Sequence, residues 1–151
     1  MGLNASHGCF YGSHRLFNRW RTALAVAAEL PPLELMDGHY GSLVNGDALE
    51  VPTFGSVYPE DRCYRRLARL DAHLPIRWEC LKPDVLYDLL HHSDCEGSLP
   101  ATLCAPLADR LEELLPALPA DSAYCAHQTL TRAFLSGLRL AASQNEDVTF
   151  R

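Results

Sequence analysis

Ser13-His14-Arg15-Leu16-Phe17-Asn18-Arg19-Trp20-Arg21-Thr22-Ala23-Leu24-Ala25-Val26-Ala27-Ala28-Glu29 is the stretch that decides the fold class. Leu16, Phe17, Trp20, Ala23, Leu24, Ala27 and Ala28 recur at the 3.6-residue period of one helix face, while Arg15, Asn18, Arg19 and Thr22 face elsewhere. Ser13 stands where an N-cap is needed, and Pro31-Pro32 stops the pattern. These residues predict a helix from about His14 to Glu29 with one face in a core.

Further along, the period changes several times. Between Leu33 and Tyr58 the pattern is broken by Gly38, Gly41, Gly46, Pro52 and Gly55, which predicts a loop-rich excursion with short strands near 48–51 and 53–58. Tyr40, Phe54 and Tyr58 in that excursion either stack on a ligand ring or seal the core, and Trp78 reads as core. Pro59 opens a second helix that carries Cys63, Tyr64, Leu67 and Leu70 inward. Leu74–Leu81 alternates Ile76, Trp78 and Cys80 with Arg77 and Glu79, which predicts a short strand. Pro83 opens a helix with Val85, Leu86, Leu89 and Leu90, ending at His91–Ser98, where Gly97 lets the chain turn. Pro106 starts another with Leu107, Leu111, Leu114 and Leu115, and Asp121 or Ser122 caps the last, through Leu130, Phe134, Leu135, Leu138 and Ala142. Val148-Thr149-Phe150 predicts a terminal strand. The expected fold is mainly α with a small β component (α+β): about five helices plus short strands in a single globular domain over 1–151.

Composition narrows the class. With 151 residues and 48% hydrophobic side chains, the chain can bury one real core. No run reaches the roughly 18 apolar residues of a membrane span. The N-terminus lacks the order of a signal peptide, because Arg15, Arg19 and Arg21 follow the first apolar residues. A soluble, cytoplasmic protein without a membrane partner is expected. Cysteines at 9, 63, 80, 95, 104 and 125 form no CxxC pair, so reduced thiols are expected. The formal net charge of −6 argues against long nucleic acid as a partner. That charge is uneven, since no acid precedes Glu29 and three arginines give this stretch +3, leaving −9 for the rest. A small basic region on an acidic protein repels long polyanions and can still hold one small anion.

Two polar segments interrupt this apolar chain: Ser6-His7-Gly8-Cys9-Phe10-Tyr11-Gly12-Ser13-His14-Arg15 and His91-His92-Ser93-Asp94-Cys95-Glu96-Gly97-Ser98. Packing alone does not ask for them, because their polar groups need partners. In the first, a Gly- and Ser-rich turn running into a helix N-terminus offers free N–H groups to an anion. Ser6, His7, Tyr11, Ser13 and His14 add donors there, and Arg15 and Arg19 add charge. Neither a Walker A nor a dinucleotide fingerprint is present. The second segment offers His92, Ser93, Asp94 and Glu96 as ligand-binding groups, or a helix C-terminus with histidines against its dipole. A metal is not required; zinc or another divalent ion would need a set such as His7, Cys9, His92 and Cys95. Cys9 or Cys95 beside a histidine would suit an activated thiolate, whereas a GxSxG elbow is absent.

Met1-Gly2-Leu3-Asn4-Ala5-Ser6-His7, Leu89-Leu90-His91-His92-Ser93-Asp94-Cys95-Glu96-Gly97 and Gly137-Leu138-Arg139-Leu140-Ala141-Ala142 resemble a family of short bacterial, phage and prophage proteins. No reaction is assigned to that family, so the resemblance implies no catalytic residue. What it implies is a setting in which small proteins act as sponges for nucleotide second messengers of bacterial immunity. The expected function is non-enzymatic binding of a small anionic, nucleotide-like molecule, with room for a homo-oligomer. The alternatives are a metal-assisted hydrolase or phosphoesterase, in which His7, His92 and Asp94 serve an activated water, and a protein–protein inhibitor or adaptor.

Overall fold

The computed structural model describes residues 2–38, 76–123 and 126–151. Leu3 and Ala5 are buried on either side of exposed Asn4, and this alternation forms strand β1, Leu3–Ala5. A 3-10 turn over Ser6–Gly8 reverses the chain through left-handed backbone at His7 (φ 58°) and Gly8 (φ 71°). Strand β2, Phe10–Gly12, then pairs antiparallel with β1, Asn4 opposite Tyr11. The first polar segment is therefore the turn and second strand of a hairpin.

Helix α1, His14–Ala27, follows, with Ser13 Oγ accepting from the Leu16 N–H at 3.1 Å. Its end is set by Glu29 in the left-handed region (φ 62°), from which Leu30 N–H reaches back to Ala25 O at 2.7 Å. A 3-10 turn, Leu33–Leu35, leads to Met36, which bridges Ile76 in parallel. The strand expected at Leu74–Leu81 is reduced, among the described residues, to that one bridge. Trp78–Leu81 is a 3-10 turn, because Trp78 and Leu81 are buried three residues apart while Glu79 and Cys80 face out. Helix α2, Tyr87–His91, begins four residues later than Pro83 suggested, after a turn in which Asp84 Oδ1 accepts from Leu86 N–H at 3.0 Å.

Strand β3, Gly97–Leu99, precedes helix α3, Ala101–Leu114. This helix starts one turn before Pro106, because Asp147 Oδ1 accepts the Ala101 N–H at 2.8 Å and so supplies an N-terminal partner from across the fold. Pro106 sits exposed in the second turn, where its missing N–H forfeits one backbone bond. Helix α4, His127–Gln144, is capped from upstream by Asp121, whose carboxylate takes the N–H groups of Gln128 (2.8 Å) and Thr129 (3.2 Å). Asn145 in the left-handed region closes it, and strand β4, Val148–Phe150, ends the chain. The sheet runs β2-β1-β4-β3, antiparallel throughout, so both ends of the chain lie side by side.

The α+β class is thus the observed one, with four α-helices among the described residues rather than five. The helix expected from Pro59, the strands near 48–51 and 53–58, Tyr40, Phe54, Tyr58, Cys63 and Cys125 lie outside them. None of the described helices is long and apolar enough to cross a membrane. The core joins the sheet to α1 and α4 through aromatic rings: Phe10 meets Phe17 edge-on at 5.0 Å, and Trp20 meets Phe134 at 4.8 Å. Phe17 also meets Phe150 at 5.7 Å. Burying each such ring contributes about 1.5–3 kcal/mol. Gly137 on α4 lets the hairpin turn approach; a Cβ there would lie 2.5 Å from Cys9 Sγ and 2.8 Å from His7 O. These contacts fix where the two polar segments fall.

Candidate functional site

The two segments meet, at one end only. His14, Asn18 and Arg21 lie at helical spacing on α1, and that face turns toward the loop after α2. His14 Nδ1 donates to the Asp94 carbonyl, and Asn18 Nδ2 donates to Asp94 Oδ2 at 2.9 Å. Arg21 donates to the carbonyls of Leu89 (3.3 Å), Leu90 (3.2 Å) and His92, and to Asn18 Oδ1. The loop holds itself: Ser93 Oγ accepts from Cys95 N–H (3.2 Å) and Glu96 N–H (3.4 Å). Gly97 completes it at φ 127°, where a Cβ would meet the His92 ring at 2.9 Å.

Arg21 is the central charge. Its side chain is 1% exposed and its guanidinium lies 4.5 Å over the Phe17 ring. Among the described residues, every hydrogen bond it makes goes to a neutral acceptor, Nε has no partner, and no carboxylate lies within ion-pair distance. Burial pulls its pKa down to about 10, with the field of Asp94 opposing, so it is still a cation at neutral pH. A buried cation that no described carboxylate touches is costly unless an anion completes it.

A cavity of about 260 Å³ opens beside it, lined by Arg21, Asp37, Gly38, Trp78, His91, His92, Ser93 and Asp94. Trp78 and His91 give it an aromatic wall, their rings 4.6 Å apart, and Trp78 Nε1 is fixed by Asp37 O at 2.8 Å. His92 donates Nδ1–H to Ser93 O at 2.6 Å and packs on Phe150 at 4.2 Å. Burial, aided by the charge of Arg21, holds its pKa below the ordinary value and favours the neutral ring. Burial alone would raise Asp94, but hydrogen bonds from Asn18 and Cys95 and the charges of Arg21 and His14 hold it below the usual carboxylate range.

The other end of the first segment goes elsewhere. Ser6 Oγ accepts from Thr149 N–H at 2.9 Å and meets His7 Nδ1 at 2.9 Å, and His7 Nε2 meets Glu146 at 2.8 Å. These bonds tie the hairpin turn to β4. Ser13 is occupied as the cap of α1, and Tyr11 is 82% exposed on β2. Arg15 is exposed and makes no hydrogen bond or ion pair among the described residues; Arg19 is also exposed, and its field reaches His127. Glu96 is exposed at the end of the loop.

The four described cysteines are free. Cys9 is buried, and that burial pushes its thiol up to about 12. The hydrogen bond from Cys95 to the Asp94 carboxylate pushes that exposed thiol up as well. Neither has the low pKa of an activated nucleophile. Among the described residues, the set His7, Cys9, His92 and Cys95 does not converge, whereas His14, Asp94 and Cys95 do.

Asn18 and Arg21 are the site residues that sequence reasoning missed. Their signal was present: Arg21 stands four residues after Phe17 and three before Leu24, within the buried stripe, where an exposed arginine cannot sit. Comparison of the chain with protein-family models, with curated proteins and with solved structures found no match.

Proposed function

We propose that this chain binds a small anionic molecule in the cavity beside Arg21, with its acidic group on the guanidinium and its ring portion against Trp78 and His91. The observation that carries this reading is the buried Arg21, whose hydrogen bonds among the described residues all go to neutral acceptors, which leave its Nε unpartnered, and whose side chain lines an open cavity. Arginine matches carboxylate and phosphate in fork geometry, and the aromatic wall suits a planar group, so the class is nucleotide-like. The volume lies just under the ~300–1,000 Å³ of most small-molecule pockets, which favours a compact ligand. Ser93 and Asp94 at the rim supply polar contacts to the remainder. Sequestration rather than turnover is the role we favour, because the group that anchors the anion, Arg21, is a fixed cation and not an acid, base or nucleophile.

The test is native mass spectrometry of the purified chain, then denaturation and identification of what it releases. One intact small anion per chain is expected. Arg21→Met keeps the packing of the stem and removes the charge; it should abolish binding in a protein still folded by circular dichroism. His91→Ala, at the exposed side of the aromatic wall, should weaken binding without touching the core. Ligand binding unchanged in both variants would overturn the reading.

A further inference from the structure

Three donor groups of different chemistry converge on the loop that follows α2. A His14 ring nitrogen, an Asp94 carboxylate oxygen and the Cys95 sulfur all lie within 4.8 Å of one another. His14 comes from the first turn of α1, 80 residues before Asp94, so the fold assembles the set.

We propose that His14, Asp94 and Cys95 hold one zinc-class divalent ion. Thiolate, imidazole and carboxylate together suit a borderline-soft cation; calcium and magnesium ask for all-oxygen shells with more ligands. With metal bonds of roughly 2.0–2.3 Å, the edges of a tetrahedral shell are about 3.3–3.8 Å, so closure needs side-chain shifts of little more than about 1 Å. Cys95 is exposed and carries no disulfide, so no covalent link holds its sulfur back. The carboxylate is already aimed, because Asn18 holds Asp94 Oδ2 at 2.9 Å while Oδ1 faces the sulfur. The Cys95 thiol proton bridges Sγ and Asp94 Oδ1 across 3.3 Å, in the place the ion would take. Binding replaces that proton: the S–H bond breaks, a sulfur–metal bond forms, and the proton passes to solvent. Thiolate and carboxylate together then balance a charge of two, and three protein ligands leave a fourth position open to water.

Cobalt(II) titration of the metal-free chain, in chloride buffer without added phosphate or nucleotide, tests this apart from the cavity reading. One equivalent should produce a thiolate-to-cobalt charge-transfer band with tetrahedral d–d absorption, which zinc then bleaches. Cys95→Ser should remove the charge-transfer band. His14→Ala should weaken zinc at least about tenfold, since even supporting residues of metal sites cost that much. Cys80→Ser, at another exposed thiol, should leave both unchanged. Absence of the thiolate band, its survival in Cys95→Ser or its loss in Cys80→Ser would each overturn the proposal.

Discussion

Asn18 donates Nδ2 to Asp94 Oδ2 across 2.9 Å while its own Oδ1 accepts from Arg21, so one neutral amide stands between a buried cation and the acid whose field it feels. An aspartate in its place would pair with Arg21 and repel Asp94. At an effective dielectric near 20, charges about 4 Å apart interact by roughly 4 kcal/mol. Asn18→Asp is therefore expected to lower affinity for the cavity's anion by at least about tenfold, read by calorimetry with the released ligand. Unchanged affinity would mean that Arg21 does not set the charge of the site.

Gly137 is where α4 admits the hairpin turn. In Gly137→Ala the new methyl meets Cys9 Sγ at 2.5 Å, His7 O at 2.8 Å and Cys9 N at 2.9 Å, two of them backbone atoms that cannot swing aside. A loss near the upper end of the ~1–3 kcal/mol of overpacking is expected in urea denaturation. Adding Cys9→Ala should restore only part of it, because the backbone contacts remain.

Trp20 and Thr131 are both fully buried, and Trp20 Nε1 donates to Thr131 Oγ1 at 2.8 Å. Thr131→Val keeps the shape and leaves the indole N–H without an acceptor, which should cost about 1–3 kcal/mol. Trp20→Phe in that background should show less than additive loss in a double-mutant cycle, since the orphaned donor is gone.

Acid sensitivity follows from two rings. Burial lowers the pKa of His92 and of His127 below the ordinary 6.5, with Arg21 and Arg19 respectively adding to it. On acidification the unfolded chain takes up these protons first. Stability present above pH 6.5 is therefore lost as pH falls toward the folded values, and Asp94, also held low, adds a further loss below about 3.8. Urea midpoints at pH 7.5, 6.0 and 5.0 should fall in that order. A His92→Asn/His127→Asn variant should give a flatter profile over the same range.

The helices were legible because Phe17, Trp20, Leu24, Leu89, Leu111, Phe134 and Leu138 mark their buried faces at helical period. Of the sheet only β4 was, where Val148-Thr149-Phe150 marks the terminal strand. β1, β2 and β3 contain Asn, Gly and Ser that read as loop. Pro106 misplaced a helix start because the true one depends on Asp147, 46 residues away. At the site, Asp94 and His92 stood out as polar residues without a packing reason. Arg21 did not, because counting arginines as surface charge hid that it shares the stripe of Phe17 and Leu24.

The backbones of Asn4 and Arg151 exchange two hydrogen bonds of 2.9 Å, joining the first strand to the last. This pairing closes the longest loop in the sheet, at a cost of about 4 kcal/mol of chain entropy. The local β1–β2 hairpin carries no such cost. The sheet is thus assembled from one near and one far partner of β1, and the packing of Phe10 and Phe150 on the same core helps offset the far one.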